Sequence, residues 1–180
     1  MIIILIVIVL IVIYMFVIYN KLVSLKNLVK EAFSTMDVYL TKRWELVPNL
    51  VEIVKGYAKF EQETLEEISR IRSENYNSMS MSKKIDENMQ IAKVMPSIYA
   101  IEENYPDLKA NENYLDLSKK LVRLEDEIAK SRKYYNGTVK LYNNLILMFP
   151  SSLVAKMFKH NTEKMFEAKE EAKNNVKIEL

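Results

Sequence analysis

The sequence of 180 residues contains no cysteine. Disulfides, thiolate nucleophiles, cysteine-held metals and cysteine-linked lipid are therefore all excluded. It contains only two glycines, Gly56 and Gly137, where average usage of about 7% would supply about a dozen. A mixed or all-β domain needs glycine in its turns, because glycine reaches positive φ without steric cost. With four prolines as the other breakers, what remains is a chain of long helices. There is one histidine. A di-iron centre in a helical bundle uses two Glu-x-x-His pairs, so that chemistry is excluded too. His160 itself stands among Lys156, Lys159 and Lys164 and reads as a solvated residue. No glycine-rich loop offers a phosphate cradle, and no Ser-His-Asp or Cys-His set can be assembled. Neither sign of charge dominates: 26 basic side chains oppose 24 acidic ones, for a net charge of +2. Without a basic excess or an aromatic stacking platform, no nucleic-acid partner is expected. No cofactor and no metal are expected either.

A long hydrophobic run is present. Ile2 to Ile18 is unbroken and apolar over 17 residues, and the first charge is Lys21. At about 1.5 Å per residue it spans roughly 26 Å, the short end of a bilayer crossing. Tyr14, Phe16 and Tyr19 lie where interfacial aromatics belong. A cleaved signal peptide would need a basic start and small residues at a cleavage site, and neither is present. Lys21, Lys26, Lys30, Lys42 and Arg43 follow the run, so the positive-inside rule predicts an outer N-terminus and a cytoplasmic body. The expected divisions are an anchor over 1–20, a cytoplasmic bundle over 21–173 and a tail over 174–180.

Apolar spacing defines the body. Leu22, Leu25, Val29, Ala32, Met36 and Tyr39 form one helical face. Pro48 predicts an end near Trp44–Val47 and the start of a second helix carrying Val51, Val54, Ala58, Leu65 and Ile68. The polar stretch Asn75–Ser82 is the weakest helical segment. A third helix is expected over about 83–103 with a kink at Pro96, ended by the turn Asn104-Tyr105-Pro106-Asp107. The fourth has a sustained heptad seam from Ala110 to Phe149: Tyr114, Leu117, Leu121, Leu124, Ile128, Ser131, Tyr135, Thr138, Tyr142 and Leu145 lie between. Pro150 stops it. The segment from Ser151 to about Lys173 has two readings, a helix on an anionic membrane surface or a fifth helix folded on the bundle, and the second is favoured. The expected fold is all-α, a transmembrane helix followed by an elongated antiparallel four- to five-helix bundle. An up-and-down path would bring the loop at 76–82 and the Phe149-Pro150 corner back to the anchor end.

Asp37, Glu52, Glu61, Glu125 and Asp126 are the carboxylates that could work in pairs as acid and base. The favoured reading is structural: they pair with Arg43, Arg72, Arg132 or Lys55 and fix the register. The sequon Asn136-Gly137-Thr138 lies in mid-helix on the cytoplasmic side and is discarded. Of the two glycines, Gly56 is the one expected to mark a close helix crossing, and Gly137 is read as tolerated.

Several long motifs carry a resemblance. They are the run Asp37 to Glu52, including Arg43, Pro48 and Asn49; then Val54-Lys55-Gly56-Tyr57-Ala58 and Glu61; then Glu103 to Asn113 around Tyr105-Pro106. Arg132-Lys133-Tyr134-Tyr135-Asn136, Val139, Tyr142-Asn143 and Phe149-Pro150 complete the set. Together they cover most of residues 19–170 in order, and the sequence resembles the LemA family. One departure is Phe60, where the family often has a histidine before the glutamate here numbered Glu61. The resemblance implies a bacterial single-pass membrane protein with a cytoplasmic helical bundle. It implies a family associated with cell-envelope and membrane organisation and with neighbouring membrane proteases, without an agreed biochemical activity. The expected function is thus a non-enzymatic membrane-anchored scaffold that self-assembles and organises or shapes the membrane. The alternative is an adaptor or regulator of another membrane protein such as a protease or sensor. Its expected partners are membrane lipid, further copies of itself and another membrane protein.

Overall fold

The computed structural model describes residues 1–57, 70 and 75–166. Among these there is no strand. Five helices are delimited among the described residues: α1 Ile2–Lys55, α2 Met81–Ile101, α3 Pro106–Lys109, α4 Glu112–Leu147 and α5 Ser151–Met157, with a short 3₁₀ turn at Tyr76–Ser78 before α2. Ala58, Leu65 and Ile68 of the expected second helix lie outside the described residues, as do Phe60, Glu61, Arg72 and everything after Phe166.

The expected break at Pro48 does not occur. α1 continues through Pro48 to Lys55, 54 residues in all. The physical reason is the buried face. Leu40, Val47, Leu50, Val51 and Val54 are all fully or almost fully buried, so the helical period of the core side chains runs on past the proline. A proline in a helix interior removes one backbone bond and costs about 3 kcal/mol. Burying several large aliphatic side chains at about 1.5–3 kcal/mol each outweighs that. The helix also crosses residue 20 without interruption.

Local chemistry sets the other boundaries. The polar stretch from Asn75 to Ser80 holds a pair of caps: Asn75 accepts from the Asn77 amide, and Ser80 accepts from the Lys83 amide to start α2. α2 contains Pro96 within its length. Pro106 occupies the first turn of α3, where its missing N–H is not needed. Asn111 accepts from the Tyr114 amide at the start of α4. Along α4 the heptad seam is buried from Tyr114 to Tyr142, with Leu117 half-buried; Leu145 is also half-buried and Ala110 and Phe149 are exposed.

The chain divides into two compact units. The first joins Met1–Met36 to Ser131–Met165, and the second is built on Asp37–Lys130. In the first, Phe33 meets Tyr135 with ring centroids 5.8 Å apart, while Tyr19 and Tyr142 both meet His160. Earlier positions of α1 thus match later ones of α4, so the two are antiparallel here. In the second unit, Arg43 reaches Glu125 and Tyr57 reaches Asn111, again antiparallel. Asp37 pairs with Lys84 and Arg43 with Asn88, so α2 runs parallel to α1. The Phe149-Pro150 corner does return to the anchor: Pro150 lines a groove with Ile11, Tyr14 and Met15. The loop at 76–82 differs from expectation, since Tyr76 packs on Trp44 and bonds Asp37 in the second unit.

The final segment also differs from the fifth helix expected. Among its described residues, Ser151–Met157 is helical, and residues 161–166 have no regular secondary structure. That strap is held by side chains of α4. Asn143 donates to the Glu163 carbonyl and accepts from the Glu163 amide, both at 2.9 Å, as a neighbouring strand would. Tyr135 donates to the Lys164 carbonyl at 2.7 Å. A segment outside regular secondary structure lacks a ladder of its own, and these contacts supply partners for the Glu163 amide and for the Glu163 and Lys164 carbonyls.

Candidate functional site

A connected set of polar side chains crosses the interior of the second unit. Its centre is Arg43, only 1% exposed. An isolated guanidinium at such a depth would be strongly unfavourable, so its donors must be matched. Nη1 donates to both carboxylate oxygens of Glu125, at 2.9 and 3.1 Å. Nη2 donates to the Asn88 carbonyl at 2.7 Å and, with Nε, to Asn88 Oδ1 at 2.9 and 3.2 Å. The planar fork of arginine fits this geometry, and a lysine would not. Asn88 then passes the chain on. Its amide donates to Tyr76 Oη at 3.1 Å and to the Lys84 carbonyl at 3.0 Å. Tyr76 donates to Asp37 Oδ1 at 2.9 Å, and Lys84 pairs with the other Asp37 oxygen while its ammonium lies 4.6 Å from the Tyr76 ring centroid.

The arrangement fixes three helices against one another and leaves little chemistry to perform. Burial first, then the neighbouring Asp37 charge, push the Tyr76 phenol far above its ordinary value, so it stays a donor. Burial and the charge of Glu125 push Tyr99 up to about 12. Glu125 is held by Arg43, and Asp37 by Lys84, a lysine outside the set expected from the sequence. Among the described residues no group of three or more His, Cys, Asp or Glu is placed to hold a metal ion.

The sequence-selected residues fall into separate groups. Asp37 and Arg43 join in the network just described. Pro48 is buried in α1, while Asn49, Glu52 and Lys55 are exposed along its end and Gly56 lies in the turn after it. Among the described residues, the Cβ of an alanine at Gly56 would meet the Ile53 carbonyl oxygen at 3.3 Å, within its own turn. Glu61 lies outside the described residues. Tyr105 and Pro106 form the exposed start of α3. Tyr135 and Asn143 hold the strap, and Arg132 and Asn136 are half-buried on α4. Glu125 is central, whereas Asp126 is exposed.

Tyr76, Lys84 and Asn88 belong to the network although nothing singled them out in the sequence. Asn88 did leave a signal: it occupies a core position in the series Ile85, Asn88, Ile91, Met95, Ile98, all buried. His160 is a correction. It is half-buried, packed by the rings of Tyr19 and Tyr142, with Nδ1 2.9 Å from Tyr142 Oη. A neutral imidazole protonated on Nε2 accepts there. Burial, and secondarily Lys26, hold this histidine below its ordinary 6.5. The folded state therefore binds fewer protons than the unfolded one, and this contribution to stability is complete above about 6.5 and lost as pH falls through the folded value. The melting temperature of the full-length protein is expected to fall between about pH 8 and pH 5. His160→Gln should flatten that fall, and an unchanged profile in the variant would remove His160 as its cause.

One helix among the described residues is long and apolar enough to cross a membrane, and it is α1. Its residues Ile2 to Val12 are each 45% exposed or more, a surface that water would not tolerate on a solvated helix. The LemA family matches residues 32–180. The protein LemA of Metamycoplasma hominis is 29% identical over 152 residues, covering 84% of this chain and 69% of that one. The magnetosome proteins MamQ 1 of Paramagnetospirillum magneticum and MamQ of Magnetospirillum gryphiswaldense are each 23% identical over 163 residues, covering 76% of this chain and 60% of theirs. With its apolar N-terminal helix, its helical body and a family match over most of its length, this membrane-associated chain belongs to the LemA family.

Proposed function

We propose that the chain is a non-enzymatic, membrane-anchored scaffold that self-assembles and organises or shapes the cell membrane, with its N-terminus outside and its body in the cytoplasm. The observation that supports this most is the continuity of α1. The apolar run and the first helix of the body are one helix with no loop between them, so the bilayer holds part of the body directly. Copies brought together would impose their spacing on the lipid around them. Surface for such contacts exists on α4, where Val122, Tyr134 and Leu141 are each more than half exposed. The magnetosome relatives are covered over only 60% of their length, so their role is not carried over. Light scattering of the full-length protein in detergent tests the reading. A mass of several copies that persists on dilution is expected, and a clean monomer at every concentration overturns it.

One observation favours a second reading, in which the chain docks another membrane protein such as a protease or sensor. Asn49, Glu52 and Lys55 recur every third residue and share an exposed stripe at the end of α1. Crosslinking in cells from position 49 that returned only self-contacts would count against it.

A further inference from the structure

α4 violates its own pattern at its end. Its seam should bury Phe149, yet Phe149 is 80% exposed, and Leu147 and Met148 beside it are 68% and 62% exposed. On α5, Leu153 and Met157 are likewise 62% and 53% exposed. From Leu145 to Ala155 there is no charged side chain at all, in a chain that is 28% charged. Charge returns at Lys156 and Lys159, both exposed. A solvated turn between two helices would show the opposite composition.

The place of this turn supplies the explanation. α5 lies against α1 within the apolar run. Pro150, Leu153, Val154 and Met157 face Ile11, Tyr14 and Met15 across a groove of about 390 Å³. Phe158 packs on Tyr19 with ring centroids 4.6 Å apart. Ile11 precedes the end of the apolar run at Ile18 by about 10 Å of helix, roughly a third of a hydrocarbon layer of about 30 Å. Where Ile11 is in hydrocarbon, its neighbours on α5 are as well.

We infer that the turn from Leu147 to Phe158 is a second membrane-inserted element, a hairpin tip sunk into the cytoplasmic leaflet beside the anchor, with lipid acyl chains on its exposed side chains. This rests on the reading of Ile2–Ile18 as the membrane-crossing segment. The exposed apolar surface of the turn is continuous with that of the anchor through the shared groove, which favours lipid over a protein partner. Lys156 and Lys159 then stand at headgroup level, where lysine stems lie along apolar surface and the ammonium stays in water. The Asn143 and Tyr135 bonds to residues 163 and 164 hold the chain that leaves the tip against α4.

The absence of native cysteine makes the test direct. Single variants Phe149→Cys, Leu153→Cys, Ile8→Cys and Asp116→Cys of the full-length protein are spin-labelled and placed in vesicles of phosphatidylethanolamine and phosphatidylglycerol. Ile8 marks the anchor, and Asp116, 64% exposed on α4, marks water. Collision rates with dissolved oxygen and with a water-soluble nickel chelate are then compared. At positions 149 and 153 the chelate rate is expected several-fold below that at 116, with an oxygen rate as high as at 8. A chelate rate equal to that at 116 overturns the inference, because the turn is then in water. Low rates with both quenchers overturn it as well, because protein then covers the tip. If position 8 itself meets the chelate freely, the reading of the anchor fails and the inference falls with it. Protection at 8 without protection at 149 and 153 removes the inference alone.

Discussion

Replacing Arg43 by alanine is expected to destabilise the protein by about 3 kcal/mol, the lower end of the range for breaking a buried pair. The loss has two parts. Asn88, fully buried, loses the donors that satisfy its carbonyl and Oδ1, and a buried acceptor left without a donor costs about 1–3 kcal/mol. The volume of the side chain becomes a void between α1, α2 and α4. Glu125 limits the loss, because its side chain is 36% exposed and can be rehydrated. For a chain of this size the melting temperature should fall by about 6–12 °C, read by circular dichroism of the full-length protein in detergent. Arg43→Lys keeps the charge without the fork, and most of the fall should remain. A fall below about 3 °C for Arg43→Ala would show that the network contributes little.

Tyr135 should separate core from strap. Tyr135→Ala removes a fully buried ring that packs on Phe33 and is expected to cost about 3–5 kcal/mol. Tyr135→Phe keeps the ring and deletes only the bond to the Lys164 carbonyl, an expected cost of about 1 kcal/mol. Thermal melts give the two magnitudes, and amide exchange across residues 161–165 shows whether the strap loosens in both variants. Equal losses would mean that the tether, and not the ring, accounts for the stability at this position.

Much of this fold was legible because helices advertise themselves by period. The series from Tyr114 to Tyr142 gave the inward face of α4 residue by residue, and the scarcity of glycine excluded the alternatives. Pro48 misled because a local rule about one residue was set against a face extending from Leu40 to Val54, and burial of the whole face prevails. The site was less legible for a different reason. Arg43 and Glu125 are 82 positions apart, and Asp37 and Lys84 are 47 apart. No spacing rule connects such pairs, since they meet only after three helices have packed. The strap was missed because an irregular segment held by side-chain-to-backbone bonds has no repeat to detect. Its one histidine was read as solvated from its lysine neighbours in sequence, whereas its neighbours in space are two tyrosines.

The unbroken passage of α1 from the apolar run into the body sets a rotational phase. Successive residues of a helix are turned by about 100°. The side that carries Ile11 and Met15 toward α5 is therefore locked to the side that carries Leu22 and Val29 into the core. One residue added or removed near Asn20 would swing the first side away by that angle while the second stayed in place, and adding seven would nearly restore it. The length of this junction is thus fixed in steps of whole turns, as the thread of a screw is fixed to its head.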